Sequence, residues 1–397
     1  MKSLKFMLVA GEPSGDQLAS ELVLALRQRL PNATFFGVGG PKMAAAGVET
    51  VLDLTHLAVT GLTDVLRLYP TFRRHFLNLI RLAQTRKPDA IIGVDYGGFN
   101  LRFARAISKL TAKKTSGGGW NPRIIQFVSP QVWASRPKRA LQMEQDHDLL
   151  LSIFPFEKAW YASHAPGLRV EFVGHPMLDR NVLQTAANPQ APNPHDSSRA
   201  IIPSAPEILL LPGSRRGELK RHVPILLQAI QKLRVAFPSA TARMVLPNDH
   251  LLALAKTFGG QAIFQCGGLP EAMARADVAL ASTGTVTLEC ALHGLPTVTL
   301  YKTSWLTYEI GRRIITVNSL TMPNLLAGRM VFPEFIQQNA TPENLARATA
   351  ALLQNQAARS AMRAELQKIL AGLGAPGACN RAAESILSLF PDTDPSP

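Results

Sequence analysis

The chain has 397 residues, of which 46% are hydrophobic, and it carries 42 lysines and arginines against 28 acidic residues, a net charge of +14. This length and apolar content exclude a disordered chain and predict two domains with full cores, and no apolar stretch reaches the roughly 20 residues that cross a bilayer. The charge predicts an anionic partner, but the basic residues are not gathered into tails and only 7% of residues are aromatic, so nucleic acid is not expected.

The first residues and the cysteines both favour a cytoplasmic protein. Residues 1–10 have a short apolar core, but the sequence GEPSGD at 11–16 interrupts it too early for a signal peptide. The three cysteines are odd in number and widely spaced, as expected in a reducing compartment. Neither they nor the nine histidines have the spacing of a ligand cluster, so we predict no metal and no cofactor.

Short apolar runs alternate with helical patterns in the first half of the chain, which is typical of βα units on a parallel sheet. Residues 4–9 and 34–38 are the first predicted strands. The glycine-rich turn at 39–41 resembles half of a dinucleotide fingerprint, but a plain βα turn fits it better because the third glycine is misplaced. Further strands are predicted at 90–94, 124–129, 148–154 and 170–173.

Two segments of the chain, 61–86 and 301–313, are basic and amphipathic. In each, arginines alternate with apolar residues at helical spacing against a single acid. Such a helix either lies on an anionic membrane surface or has an ordinary solvated face, and the pattern alone leaves both open. The residues predicted to contact the membrane are Arg73, Arg74, Trp305, Arg312 and Arg313.

A carboxylate follows the continuous apolar strand 90–94. Asp95 is followed by a turn with Gly97 and Gly98. Parallel sheets bind ligands at the carboxyl ends of their strands, so Asp95 is predicted to be catalytic, the alternative being a helix cap. Trp133 and His175 also follow predicted strands, where each is either a pocket residue or a structural side chain.

The second half of the chain repeats the α/β pattern after a proline-rich break. Strands are predicted at 208–211, 242–246, 262–266, 278–281 and 297–300, and the residues after 351 are helical. We therefore predict two Rossmann-like parallel-sheet domains that face each other across a cleft, the glycosyltransferase-B arrangement. The predicted parts are a first domain (1–186), a connector (187–206), a second domain (207–350), helices that pack back or exchange in a dimer (351–390) and a disordered tail (391–397).

Two strand-to-helix turns of the second domain suit a diphosphate. One contains Gly213, Ser214 and Arg215, and arginine makes bidentate contacts with phosphate. The other runs from Ser282 to Thr285, with Glu289 one turn further on. Backbone N–H groups at a helix N-terminus attract an anion, although an ordinary N-cap needs no ligand.

Six short motifs in this order resemble the signatures of the lipid-A-disaccharide synthase family. They are GEPSGD at 11–16, VSPQVWA at 128–134, IFPFE at 153–157, FVGHP at 172–176, LPGSR at 211–215 and MPNLLAGR at 322–329. The resemblance implies an inverting glycosyltransferase without a metal. It would transfer 2,3-diacylglucosamine from UDP to the 6-hydroxyl of 2,3-diacylglucosamine 1-phosphate, giving the β-1,6 lipid A disaccharide and UDP. It also implies a peripheral protein on the inner face of the cytoplasmic membrane and a homodimer that exchanges C-terminal segments.

The resemblance also implies roles for individual residues. Asp95 would be the base and Arg215 would balance the leaving diphosphate. The implied UDP contacts are Gly213, Ser214, Ser282, Thr283, Gly284, Thr285, Glu289 and Asn324, and the implied acceptor side is Glu12, Ser14, Asp16, Asn100, Trp133 and His175. The chain departs from the family pattern at Gly97-Gly98, at residues 282–285, at Ser135 and in the long connector. Alternatives are a UDP-GlcNAc 2-epimerase, another glycosyltransferase-B enzyme that uses UDP-GlcNAc, and a basic adaptor without enzymatic activity.

Overall fold

The computed structural model describes residues 3–53, 62–112, 119–180 and 205–391. The chain forms two compact units: unit 1 contains Met1–Asp179 and Leu373–Pro397, and unit 2 contains Arg180–Gly372. The structure describes only the last two residues of the predicted connector and only the first residue of the predicted tail. The helical segment predicted at 351–390 is divided between the two units.

Unit 1 is built on a seven-stranded sheet in the order β3-β2-β1-β4-β5-β6-β7, and every paired strand is parallel. The strands are β1 Lys5–Ala10, β2 Thr34–Val38, β3 Glu49–Leu52, β4 Ala90–Val94, β5 Arg123–Phe127, β6 Leu149–Ser152 and β7 Val170–Phe172. Its helices are α1 Pro13–Arg29, α2 Pro41–Ala45, α3 Leu62–Arg86, α4 Gly97–Ala112, α5 Val132–Ser135, α6 Arg139–Asp146 and α7 Pro155–His164.

Unit 2 is built on a six-stranded parallel sheet in the order β10-β9-β8-β11-β12-β13. The strands are β8 Glu207–Leu211, β9 Thr241–Leu246, β10 Ile263–Cys266, β11 Val278–Ser282, β12 Thr297–Tyr301 and β13 Glu334–Ile336. Its helices are α8 Arg216–Ala236, α9 Asp249–Lys256, α10 Leu269–Arg275, α11 Thr285–Leu292, α12 Trp305–Ile314, α13 Met322–Ala327, α14 Pro342–Gln354 and α15 Gln356–Gly372, with a 3₁₀ turn at Gln337–Asn339.

The central strands explain why the sequence patterns predict this architecture. All five residues of β4 are buried, as are all of β1 after Lys5. Strands that are covered on both faces have continuous apolar sequences, and this is the pattern of parallel α/β sheets. In each unit the chain order reverses beside the first strand, between β1 and β4 in unit 1 and between β8 and β11 in unit 2. Open α/β sheets bind ligands at these switch points.

The last helix, α16 Ala378–Leu387, returns to unit 1 after a turn at residues 373–377. Arg29 on α1 donates to Glu384 at 2.7 Å and to Asn380 at 3.1 Å. The ring of Phe390 packs edge-on against Phe6 of β1, with 6.3 Å between centroids. These contacts fasten the C-terminal helix to the first βα unit of the same chain. Over the described residues, no helix combines the length and apolar character needed to span a membrane.

Candidate active site

The main pocket of unit 2 lies at its switch point and has a volume of about 340 Å³. β8 and β11 are adjacent, with Leu211 opposite Ala281, so the turns that follow these strands meet at one edge of the sheet. The pocket brings together all but one of the predicted UDP contacts and Arg215. Its lining includes Gly213, Ser214, Arg215, Ser282, Thr283, Gly284, Thr285 and Glu289.

The turn into α11 presents backbone N–H groups to this pocket. Gly284 is the N-cap, with φ 132° and ψ −163°, a conformation that favours glycine because it has no Cβ. Its carbonyl accepts from the amide and the hydroxyl of Thr287 at 3.1 Å and 2.7 Å. Among the described residues, no protein acceptor pairs with the N–H of Thr285 or Val286. These donors, with the helix dipole, favour an anion at this point.

The other turn of the pocket is organised by Glu218, which sequence reasoning missed. One carboxylate oxygen accepts from the backbone N–H groups of Ser214, at 3.1 Å, and Arg215, at 3.3 Å. The other oxygen lies 3.4 Å from Nη1 of Arg215, whose side chain is 62% exposed. Glu218 therefore fixes the turn and restrains the guanidinium at the pocket. The signal was present in the sequence, because a glutamate at the third position of a helix commonly forms a capping box.

Two other predicted UDP contacts differ in their surroundings. Glu289 lines the pocket, and burial raises the pKa of its carboxyl while the charge of Arg180 opposes this. Asn324 is 1% exposed and is absent from the lining. Its amide oxygen accepts from the N–H groups of Val331 and Phe332, and its NH₂ donates to Phe332 O and Glu334. Both the oxygen and the NH₂ group of Asn324 therefore have protein partners, and its contact with UDP stays a prediction.

Asp95 lies at the switch point of unit 1, as the sequence predicts, directly after β4. The hydroxyl of Ser14, in the first turn of α1, donates to Asp95 Oδ2 at 3.3 Å. Burial raises the pKa of the Asp95 carboxyl, and the hydrogen bonds from the Tyr96 backbone and Ser14 partly oppose this. The structure therefore brings together two predicted site residues that are 81 residues apart in the sequence.

The backbone around Asp95 is held in an uncommon conformation. Asp95, Tyr96 and Val128 have φ values of 51°, 46° and 69°, in the left-handed region that side chains other than those of Asn and Asp rarely adopt. The Asp95 carbonyl accepts from Asn100 Nδ2 at 2.8 Å and from Gln126 Nε2 at 3.0 Å. Both amides are buried. Asn100, predicted on the acceptor side, therefore supports the Asp95 turn, and Gln126 is a second support that the sequence did not reveal.

The remaining residues predicted on the acceptor side of this unit play different parts. Glu12 is the N-cap of α1. Burial of Tyr96 is the main cause that raises the pKa of Tyr96, and the charge of Glu12 adds to it. Asp16 is 3% exposed, and its carboxylate accepts from the backbone N–H groups of Gly40, Lys42 and Met43 at the start of α2. The Asp16 carboxylate therefore caps α2, and its place on the acceptor side stays a prediction.

Trp133 and His175 are both buried. Trp133 Nε1 donates at 3.0 Å to Glu157, a fully buried residue of the IFPFE motif. Burial raises the pKa of Glu157 to about 7, and the hydrogen bonds of Trp133 and Ser129 oppose this. His175 packs on Phe154 at 5.4 Å, and its backbone N–H donates to Leu373 O. His175 thus joins the C-terminal segment to unit 1, which is a structural position.

The predicted membrane residues lie on exposed helical faces. None of the residues of α12 is buried, and Trp305 and Leu306 are 72% and 59% exposed. Arg312, in the last turn of α12, forms an ion pair with Glu309, with 2.8 Å between Arg312 Nε and Glu309 Oε2. Arg73 and Arg74 on α3 are also exposed. In the described part of the chain, no group of three His, Cys, Asp or Glu side chains could hold a metal ion.

Comparison with known proteins decides the family. The family model described as lipid-A-disaccharide synthetase matches residues 6–388. The chain belongs to this family. The lipid-A-disaccharide synthase of Anaeromyxobacter dehalogenans (strain 2CP-C) is 35% identical over 391 residues, which cover 97% of this chain and 97% of the relative. As a member of the lipid-A-disaccharide synthetase family, the chain is a glycosyltransferase of lipid A biosynthesis.

Solved structures with low identity confirm the predicted glycosyltransferase-B fold of this lipid-A-disaccharide synthetase family member. The UDP-GlcNAc 2-epimerase from Neisseria meningitidis, solved with UDP-GlcNAc, aligns with a TM-score of 0.63 at 12% identity and covers 98% of this chain and 100% of that chain. The calicheamicin glycosyltransferase aligns with a TM-score of 0.58 at 15% identity over 100% of both chains. At these identities the likeness concerns the fold alone.

Proposed function

We propose that the protein transfers 2,3-diacylglucosamine from UDP to the 6-hydroxyl of 2,3-diacylglucosamine 1-phosphate with inversion, giving the β-1,6-linked lipid A disaccharide 1-phosphate and UDP. The observation that carries this proposal is the pocket of unit 2, where an arginine and unpaired backbone N–H groups meet at the switch point. A carboxylate at the switch point of unit 1 supplies the second requirement of the reaction, a base.

The donor binds in the unit 2 pocket through its diphosphate. Arg215, the hydroxyl groups of Ser282, Thr283 and Thr285, and the N–H of Thr285 surround the phosphates. The Glu289 carboxylate accepts hydrogen bonds from the ribose. Gly213 and Ser214 form the other wall. The 3.4 Å contact between Arg215 and Glu218 is long for a charge-assisted hydrogen bond. The exposed guanidinium therefore leaves it easily for a diphosphate that offers two oxygens.

Asp95 acts as the general base. It takes the proton from the acceptor 6-hydroxyl as that oxygen forms the bond to C1 of the donor sugar on the face opposite UDP. The bond from C1 to the phosphate oxygen breaks, and the charge that develops on the diphosphate is balanced by Arg215 and the N–H groups of α11. Burial raises the pKa of Asp95, so its carboxylate is a stronger base than that of an exposed aspartate.

The membrane supplies both lipid substrates, so the protein works as a peripheral protein on the inner face of the cytoplasmic membrane, on the route to outer-membrane lipopolysaccharide. The exposed apolar and basic face of α12 supports this location, since Trp305 and Leu306 enter the headgroup region while Arg312 and Arg313 contact anionic phospholipid. Arg73 and Arg74 on α3 supply a second basic contact.

A homodimer that exchanges C-terminal segments is also proposed. Within one chain, α16 binds α1 through Arg29 and Glu384, and Phe390, which follows α16, packs against Phe6 of β1. The same contacts would form between two chains if residues 373–377 extended instead of turning back. Chromatography with light scattering of the full chain would detect the dimer, and a monomer that remains active would contradict it.

Mass spectrometry of the reaction tests the proposed function. The protein is incubated with UDP-2,3-diacylglucosamine and 2,3-diacylglucosamine 1-phosphate in detergent, and the expected product is their β-1,6 disaccharide together with UDP. A parallel incubation with UDP-GlcNAc alone tests the epimerase alternative. A 2-epimer from that incubation, without disaccharide from the first, would overturn the proposal in favour of an epimerase.

A further inference from the structure

Three arginines of unit 1 are brought together from separate elements. Arg102 lies on α4, Arg136 directly follows α5, and Arg139 is the first residue of α6. Leu101 is next to Arg102, Ala140 is next to Arg139, and Val132 lies four residues before Arg136. These three apolar residues are buried in one hydrophobic cluster, so its packing holds the three arginine-bearing segments together. Burial and the nearby charges of Arg136 and Arg102 all lower the pKa of Arg139.

The described residues contain no carboxylate that forms an ion pair with any of these three arginines. Some other arginines of unit 1 are paired, as Arg123 is with Asp148 at 3.0 Å and Arg86 is with Glu49 at 2.6 Å. Like charges that are grouped without an acid destabilise the fold. A cluster of this kind is unfavourable in the protein alone and becomes favourable when an anion binds.

The cluster lies on the two segments that leave the Asp95 edge of the sheet. A Cβ on Gly97 would come within 2.7 Å of Pro130 Cβ, so the turns after β4 and β5 are in contact. Arg102 lies on the segment that follows β4, and Arg136 lies on the segment that follows β5. The second segment is held by the bonds from Arg136 N to Val132 O, 2.7 Å, and from Arg139 N to Arg136 O, 2.9 Å.

We propose that Arg102, Arg136 and Arg139 bind the phosphomonoester of the acceptor. This assignment rests on the proposed function, because that reaction supplies an acceptor with a phosphate at one end and the attacking hydroxyl at the other. A phosphomonoester carries about −1.5 to −2 charges near pH 7 and offers three acceptor oxygens, which suits several guanidinium groups. Anchoring the phosphate here places the rest of the sugar toward Asp95.

The test compares two acceptors, 2,3-diacylglucosamine 1-phosphate and the same lipid without its phosphate. The KM for each acceptor is measured at saturating donor, and the KM for the donor is measured at saturating phosphorylated acceptor. The Arg136→Ala/Arg139→Ala variant is expected to raise the KM for the phosphorylated acceptor by at least about 10-fold, since two charge-assisted hydrogen bonds are lost. Its KM for the unphosphorylated acceptor and for the donor should stay near the wild-type values. Arg123→Ala removes a charge at the start of β5, outside the cluster, and should leave the preference for phosphate unchanged.

Two results would overturn the assignment. The first is an unchanged preference of the variant for the phosphorylated acceptor. If the Tm of that variant is also lower, the arginines are structural. An equal loss with both acceptors, together with weaker binding to vesicles of phosphatidic acid and phosphatidylcholine, would assign the arginines to a phospholipid headgroup. Wild-type protein that forms no disaccharide from either acceptor would instead overturn the proposed function itself, and this assignment with it.

Discussion

Replacing Glu157 should change how stability depends on pH. This carboxyl is fully buried and accepts from Trp133 Nε1 at 3.0 Å and from the Phe154 N–H at 3.3 Å. Burial raises its pKa from 4.5 to about 7. The folded state therefore binds more protons than the unfolded state between these values, so the free energy of unfolding falls as pH rises from about 4.5 to about 7. At about 1.36 kcal/mol per pKa unit, the fall amounts to roughly 3 kcal/mol.

The variant Glu157→Gln keeps an oxygen that accepts from Trp133 but does not ionise. Its stability should therefore lack this fall, so that relative to wild type it gains roughly 3 kcal/mol between pH 4.5 and pH 8. Urea unfolding at several pH values measures the difference, with Glu384→Gln as a control because that carboxylate is 62% exposed. Parallel pH profiles for wild type and Glu157→Gln would refute the reasoning, since they would mean that the buried carboxyl does not titrate in this range.

Three other changes test separate parts of the site. Arg215→Ala should weaken UDP binding, measured by calorimetry, as well as turnover. Wild-type activity should persist in EDTA, because the guanidinium and the α11 N–H groups bind the diphosphate. Activity that EDTA abolishes and Mg²⁺ restores would contradict this. Arg312→Glu/Arg313→Glu, alone or combined with Arg73→Glu/Arg74→Glu, should reduce sedimentation with anionic vesicles while UDP affinity stays unchanged. Each basic side chain near the surface contributes about 1 kcal/mol to the free energy of membrane binding. Equal sedimentation would show that these arginines are only solvated. Gln126→Leu removes a donor to the Asp95 carbonyl and should lower kcat without changing UDP binding in the other unit. An unchanged kcat would show that Gln126 does not support the Asp95 turn.

The sequence predicts the ends of central strands well. Asp95 and the turn at 282–285 follow strands that are apolar throughout, and parallel strands align their carboxyl ends at one edge of the sheet. Both sites follow from that rule alone. The short strands β3 and β13 were not predicted, because each is only partly buried and so lacks an apolar sequence.

Long-range hydrogen bonds explain why the surroundings of some predicted site residues could not be predicted from the sequence. Asp16 and Asn324 lie in motifs of the family, but their polar atoms are used by backbone groups of α2 and of residues 331–332. Glu157 likewise meets Trp133 across 24 residues of sequence. Whether a conserved-looking polar side chain faces a substrate or a buried backbone amide depends on these partners, and no local pattern reveals them.

The variant Asp95→Asn tests the central claim most directly. Asparagine keeps the size of the side chain and tolerates the left-handed backbone at this position, but it does not take a proton. A positioned base contributes about 10²–10⁴-fold, so kcat should fall by at least about 10²-fold while the fold and the UDP affinity are retained. Turnover within a few-fold of wild type would contradict the account and would transfer the role of base to another carboxylate, Glu12 first.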